Sequence, residues 1–539
     1  MNRPNPLPSI RKPALWLYVT RLSTAVFGLG CLGLSLAGCQ QPHVAAIAPP
    51  TASIEATPII TATASPSPTP SATFTPTPTV TPSPTPTLPP RRVAIPPSAP
   101  SVTLTSPWVA ASVAEGEARV GDSAEFALIP TSGGLPVAQR PLVLAVPFTT
   151  QWENVTWAQA QTILAEGDPR VTVMRWEAIT PRLKPLRIDG RYPTEPDYPL
   201  QETWSLLAAN GLAKEAEALL PQLQAAFTLP AGLRLTAVGD MMLDRALGYQ
   251  IAGGNLTFPF EKVVETLRAG DITLGNVESA LGDIGEPVSK SYTFQAPPDS
   301  AESLAWAGFD VVTLANNHAL DYGPAALLQG LDLLHAQKIA TIGAGRDAAE
   351  ARQPYLTTIH GIRLAFLGYV NVPVESKGFV TESWTAAPAT PGVAWALPDV
   401  ISADVQALAG VVDQVVVVLH SGYEYQAAPS PPQMAAARAA IDAGAALVIG
   451  HHAHILQGIE FYHTGVIVYG LGNFAFEIDG DPASAILNVW LDKTGVRALE
   501  LIPALVQFGG QPRLAAPDEA RAISQRVTYL TSLLNAATP

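Results

Sequence analysis

The sequence predicts a layered α/β fold for the region from residue 233 onward, and three observations predict it. Apolar runs of buried-strand length recur at 235–238, 311–314, 364–367, 415–419, 447–449 and 466–469, and such continuous runs suit strands covered on both faces. Helical patterns lie between several of them, at 260–268, 325–336 and 432–443, the last stopped by Gly444. Polar residues follow the strand ends, which is where layered α/β folds collect their ligands.

The chain before that region reads as an address, a tether and a small domain. Residues 1–38 carry Arg3, Arg11, Lys12 and Arg21 but no acid, and an uncharged run from Leu22 to Gly38 follows the last of these. This is the basic and apolar layout of a secretory signal. It ends Leu36-Ala37-Gly38-Cys39, which resembles a bacterial lipobox; the resemblance implies lipidation of Cys39 and a membrane anchor. A plain N-terminal membrane helix is the alternative, since 17 residues sits at the short limit for spanning. Residues 39–100 form a Pro/Ser/Thr-rich tether: positions 41–100 hold 17 prolines and three charges, a composition suited to an extended polyproline spacer. Residues 101–230 read as a small accessory α/β domain, with a strand at 142–146 and helices at 157–166 and 204–227. Nothing in it identifies a ligand.

Composition limits the functions available. Two cysteines in 539 residues exclude a disulfide scaffold and any cysteine-ligated zinc or iron–sulfur site. A net charge of −14 argues against nucleic-acid binding, which needs clustered cations to neutralise phosphates. Cleavage before Cys39 would remove four cations and leave 27 bases against 45 acids, a net charge of −18.

The strand ends carry the chemistry. The first run leads into Gly239-Asp240-Met241-Met242-Leu243-Asp244-Arg245, and a second cluster is Gly275-Asn276-Val277-Glu278. Later runs lead into Asn316-Asn317-His318-Ala319-Leu320-Asp321, His420-Ser421-Gly422-Tyr423-Glu424-Tyr425 and Gly450-His451-His452-Ala453-His454. Five of the nine histidines fall in the last three clusters. Each cluster alone is an ordinary turn or capped loop. His452 and His454 on alternating extended positions would point to one side. Together, carboxylates, an amide oxygen and imidazoles form the mixed donor set that suits Zn, Mn or Fe(II).

The ordered set Gly-Asp-x-Met, Asn-x-Glu, Asn-Asn-His-x-x-Asp-x-Gly, His-x-Gly-x-Glu-Tyr and Gly-His-His-x-His resembles the CapA family, as does Gly470-Leu471-Gly472-Asn473-Phe474. The family is tied to poly-γ-glutamate capsule synthesis and related to calcineurin-like metallophosphoesterases. The resemblance implies a metallophosphoesterase-like α/β/β/α sandwich over 231–510, followed by a helical tail at 511–539. It also implies one or two divalent metal ions. Asp240 would ligate one metal, and Glu278 or Asn276 would stand where a bridging carboxylate sits. Asn317, His420, His452 and His454 would complete the ligands, and His318 would protonate a leaving oxygen. His451 and Asp321 would support these groups, whereas Glu424 and Tyr425 either orient His420 or pack their loop. Arg245 binds a phosphate or a γ-carboxylate, or else makes a surface salt bridge.

Met242 stands where related phosphoesterases carry a histidine ligand, and Asn276 where they carry aspartate. These two departures favour a scaffold, whereas the donor set favours metal chemistry. The expected function is an envelope protein, lipid-anchored on the extracytoplasmic side, acting as a metal-dependent hydrolase or transferase on an anionic polymer such as poly-γ-glutamate. The alternatives are a polymer-binding or export scaffold working with other capsule synthesis proteins, and a surface phosphoesterase.

Overall fold

The computed structural model describes residues 90–536 except 100–103, 105–108, 114–117, 122–123, 230–231 and 478–479. The leader 1–38, Cys39 and the tether as far as residue 89 lie outside the described residues. Among the described residues no helix is long and apolar enough to cross a membrane.

The strand Gly232–Met242 is the spine of the larger domain. It runs parallel to Ile272–Val277 and antiparallel to Ala483–Asp492. Its sheet continues outward through Val311–Thr313 to Ala340–Ile342 on one side, and through Gly495–Val506 to Pro512–Leu514 on the other. Asn473–Phe476 also pairs with it. A second sheet runs Tyr355–Ile359, Ile362–Asn371, Gln414–Ser421, Leu447–His451, Gly465–Val468, Ile459–Tyr462.

Side-chain alternation explains how the layers stack. Along Gln414–Ser421, Val416 and Val418 face a core shared with Leu235, Leu274 and Val311 of the first sheet. Val415, Val417 and Leu419 face the opposite way, against Ile401, Val405 and Ile441 of the helices Pro398–Ala407 and Pro431–Asp442. A strand has side-chain period two, so a continuous run of Val serves both faces. The outer face of the first sheet is covered likewise, with Met241 and Val312 packed on Leu304, Leu327 and Leu331 of Ser300–Ala307 and Gly323–Ala336. The order is helix, sheet, sheet, helix. Ser430 and Gln433 close a reciprocal capping box at the start of Pro431–Asp442, which fixes that helix above the strand ends.

The accessory segment holds strands and helices whose bounds differ from the expected ones. Arg91–Ile95, inside the expected tether, is a strand paired with Val109–Val113 and Phe126–Ile129, so the expected boundary at 100/101 cuts through folded chain. The expected helix at 204–227 is a strand, Gln201–Ala208, followed by a helix, Ala213–Phe227. Trp204 and Leu206 alternate into the core, and Asn210-Gly211 breaks the segment. Only Val264–Arg268 of the expected helix at 260–268 is α-helical.

The tail belongs to the domain. Pro512–Leu514 joins the first sheet, and Pro517–Ala536 places Ile523 and Val527 in the core between the sheets.

The accessory segment is seated on the Ala483–Asp492/Gly495–Val506 hairpin. Val143, Ala145, Trp176 and Tyr192 share a core with Trp490 and Ala498. Glu500, buried beneath them, lies 3.5 Å from Lys184 Nζ and accepts from Tyr192 Oη at 3.0 Å and Asn488 Nδ2 at 3.1 Å. Asn488 Oδ1 accepts in turn from Thr236 Oγ1 at 2.8 Å, four residues before Asp240. Burial pushes Lys184 below the usual lysine range, and the Glu500 charge opposes that shift. Glu500→Ala strands the buried ammonium and is expected to lower stability by about 3–5 kcal/mol. A chemical-denaturation midpoint equal to the wild type would show that the pair contributes nothing.

Candidate metal centre

Strand register gathers the site. Asp240 is aligned with Asn276 on one side and Asn473 on the other. In the second sheet, His420 is aligned with His451. The two sheets therefore deliver their polar residues at the same C-terminal edge. Gly239 is required for the close packing here: a Cβ on it would lie 1.9 Å from the Gly472 carbonyl oxygen, which accepts from Asp240 N at 3.0 Å.

The expected ligands converge. Glu278 is fully buried, and its Oε1 lies 3.7 Å from both His420 Nε2 and His454 Nε2, with no hydrogen-bond partner. Asp240, Glu278 and His454 present donor atoms within 4.8 Å of one another, as do Glu278, His420 and His452. Glu278 is common to both groups. Asn317 Oδ1 lies 2.7 Å from His420 Nε2. His452 Nδ1 and His451 Nε2 are also buried without partners. Unpartnered carboxylate and imidazole atoms facing one another are costly unless something bridges them, and a borderline divalent cation suits this donor set.

Asn276 is placed differently from the expectation that it ligates. Its Nδ2 donates to Asp240 Oδ1 at 2.8 Å and lies 3.2 Å from His420 Nδ1, while its Oδ1 accepts from Asn316 at 3.0 Å. Both ends of its amide are engaged, whereas Glu278 Oε1 is left without a hydrogen-bond partner. Glu424 clusters with His452 and His454, and the Tyr425 ring centroid is 6.0 Å from that of His454. Asn317, Asn276, Glu278 and His452 are the groups against His420. The His452/His454 pair reaches the site by another route too. Both lie past the end of Leu447–His451 with φ of +86° and +56°, a left-handed conformation that non-glycine residues hold only when their surroundings enforce it.

The remaining residues make contacts of their own. His451 Nδ1 is 2.8 Å from Asp240 Oδ1. His318 Nδ1 is 2.6 Å from Asp321 Oδ2, and the His318 ring stacks on Phe294 with centroids 4.4 Å apart. Met242 packs with Phe294 and Phe476, an apolar contact in place of a ligand. Arg245 is exposed, lies 4.9 Å from the Phe294 ring centroid and makes no ion pair among the described residues. Sequence reasoning assigned no role to Asn473, Lys290 or Glu375. Asn473 Oδ1 lies 2.9 Å from His454 Nδ1. The signal for it was its place in Gly470-Leu471-Gly472-Asn473-Phe474; Lys290 and Glu375 sit in loops with no pattern.

Electrostatics divides the donors. Burial and the neighbouring His452 push His420 well below the usual imidazole range, and burial with the His454 charge lowers His452 to about 3. Both are neutral donors at physiological pH. Burial opposes ionisation of Asp240, yet hydrogen bonds from His451 and His454 hold it well below the usual carboxylate range. Burial and the Asp240 charge push Glu278 up. Burial would lower His454, but Glu278 and Asp240 raise it to about 9. A cation bound through His454 must displace that proton. Metal affinity is therefore expected to rise by about tenfold per pH unit from pH 6 toward 9. Calorimetric titration with Mn²⁺ at several pH values checks this; a flat profile would exclude His454 as a ligand.

The bacterial capsule synthesis protein family PGA_cap matches residues 234–478, the segment that carries every residue of this site. The capsule biosynthesis protein CapA of Bacillus anthracis is 31% identical over 304 residues, covering 54% of this chain and 72% of that protein. This chain belongs to the CapA family. The PGA biosynthesis protein CapA of Bacillus subtilis is 32% identical over 276 residues, covering 50% of this chain and 71% of its own. Among solved structures, a phosphatase of Mycoplasma pneumoniae aligns with a TM-score of 0.34 at 14% identity, covering 54% of this chain and 98% of that chain. The family model leaves out the accessory segment.

Proposed function

We propose that this chain is an exported, membrane-anchored CapA-type protein that processes poly-γ-glutamate as a metal-dependent hydrolase or transferase. Cys39 carries the lipid that anchors it. The observation that carries the reading is the buried, unpartnered Glu278 carboxylate oxygen between the His420 and His454 imidazoles. In a metallophosphoesterase-like centre of this kind Asp240, Glu278, Asn317, His420, His452 and His454 hold one or two Mn, Fe or Zn ions. Such ions, when bound, supply an activated water and a charge clamp for a displacement. His318, oriented by Asp321, faces the same cluster as a proton donor to a leaving group. Arg245 on Phe294 offers a planar cation to a carboxylate at the rim.

A second reading, a polymer-binding scaffold with other capsule proteins, is favoured by Met242, whose packing on Phe294 and Phe476 withdraws one expected ligand. Metal analysis of the full chain followed by incubation with poly-γ-glutamate and with a chromogenic phosphoester separates the readings. Near-stoichiometric metal with shortening of the polymer, or transfer from it, supports the proposal. Metal with phosphoester turnover alone indicates a surface phosphoesterase. A folded, metal-free protein that binds polymer unchanged indicates the scaffold.

A further inference from the structure

Lys290 and Glu375 have no place in that reading, yet the structure concentrates interactions on them. The Lys290 side chain is fully buried, and Nζ reaches Asp321 Oδ1 at 2.7 Å, Glu375 Oε1 at 2.8 Å and the Asn317 carbonyl oxygen at 2.6 Å. The ammonium donates to the Glu375 and Asn317 oxygens and is ion-paired with Asp321. The Phe379 and Trp384 rings flank it, with centroids 5.8 and 5.1 Å away. One cation thus ties the segment carrying Glu375 to the loop carrying Asn317, His318 and Asp321.

Glu375 Oε1 takes a second donor, Asn317 Nδ2, at 2.8 Å. A carboxylate paired with an ammonium accepts hydrogen bonds and donates none. It therefore dictates which end of the Asn317 amide it meets. With the nitrogen committed to Glu375, the amide oxygen is turned to the opposite side, where it lies 2.7 Å from His420 Nε2. Rotated by half a turn, the amide would set two carbonyl-type oxygens against each other and aim its NH₂ hydrogens at the cation position.

We propose that Glu375, clamped by Lys290, is a positioning residue that locks Asn317 with its oxygen toward the Glu278–His420–His452 cluster. This rests on the metal-centre reading above. It explains why a carboxylate too far along the chain to belong to any ligand motif is held by a buried lysine. Asn317 alone has no preference between its two amide orientations; the Lys290–Glu375 pair supplies one. The same clamp grips Asp321, so the oxygen of Asn317 and the ring of His318 are set by one cation.

The test is calorimetric titration of Mn²⁺ into the full chain purified in detergent, with thermal melts run alongside. Glu375→Leu, similar in size but without an acceptor, is expected to weaken binding by about tenfold, the lower end of what losing an orienting partner costs. Glu375→Gln keeps an acceptor oxygen for Asn317 and is expected to bind close to the wild-type value. Glu375→Ala repeats the comparison with a smaller side chain should leucine fail to pack. Wild-type affinity in Glu375→Leu or Glu375→Ala, or a Glu375→Gln variant as weak as Glu375→Leu, overturns this inference while leaving the metal centre standing. A wild-type chain that takes up no Mn²⁺ overturns the metal centre and this inference with it.

Discussion

Glu278→Gln is expected to abolish stoichiometric metal binding while leaving the metal-free fold at least as stable as before. Glu278 belongs to two of the three groups of converging donors among the described residues, so its substitution weakens both of those cation positions at once. The loss should exceed the roughly 10–100-fold that removing an orienting partner costs. Stability moves the other way for an electrostatic reason. Burial and the neighbouring Asp240 raise Glu278 above the usual carboxylate range, so its charge is a liability to the metal-free protein above that range. A neutral amide of the same shape removes the liability. Elemental analysis and thermal melts of chelated protein check the two halves. Retained metal would remove Glu278 from the centre, and a large drop in the melting temperature of the chelated variant would mean its role is structural.

Much of this was legible in the sequence because the informative signals are local. Buried parallel strands are written as continuous apolar runs, and each expected run from 235 to 469 is a strand. The polar clusters after them were readable because strand ends are where such folds can expose donors. The parts that were not legible depend on pairing between distant segments. Residues 204–208 of the strand Gln201–Ala208 read as helix because the short apolar run Trp204-Ser205-Leu206-Leu207-Ala208 does not separate the two periods until its neighbours are known. The role of Asn276 turned on its cross-strand alignment with Asp240, a register that no local pattern encodes. His452 and His454 were expected to converge from extended backbone, and they converge from left-handed turns instead. Lys290 and Glu375 carry no motif because their role comes from three loops meeting around one ammonium. Donor types were readable, then, while the division between ligands and the groups that orient them came from register and loop packing.

His318→Asn is expected to separate chemistry from metal binding under the hydrolase reading. His318 is close to the cluster but turned away from ligation on one side, because Nδ1 is 2.6 Å from Asp321 Oδ2. Asp321 also accepts from Phe294 N at 2.8 Å and is paired with Lys290. The carboxylate is thereby fixed, the proton on Nδ1 is directed to it, and Nε2 is left as the atom that exchanges a proton with substrate. Stacking on Phe294 fixes the plane of the ring. Removing a positioned general acid typically costs about 10²–10⁴ in rate, so kcat on the substrate that the wild type turns over should fall by that order. Mn²⁺ stoichiometry and affinity should stay near wild type, because His318 supplies none of the converging donor atoms. Asp321→Asn should give a smaller loss in kcat, since it weakens the orientation of the ring and leaves the imidazole in place. A His318→Asn variant with undiminished kcat would assign the proton to another group, and one that loses its metal would make His318 part of the centre itself.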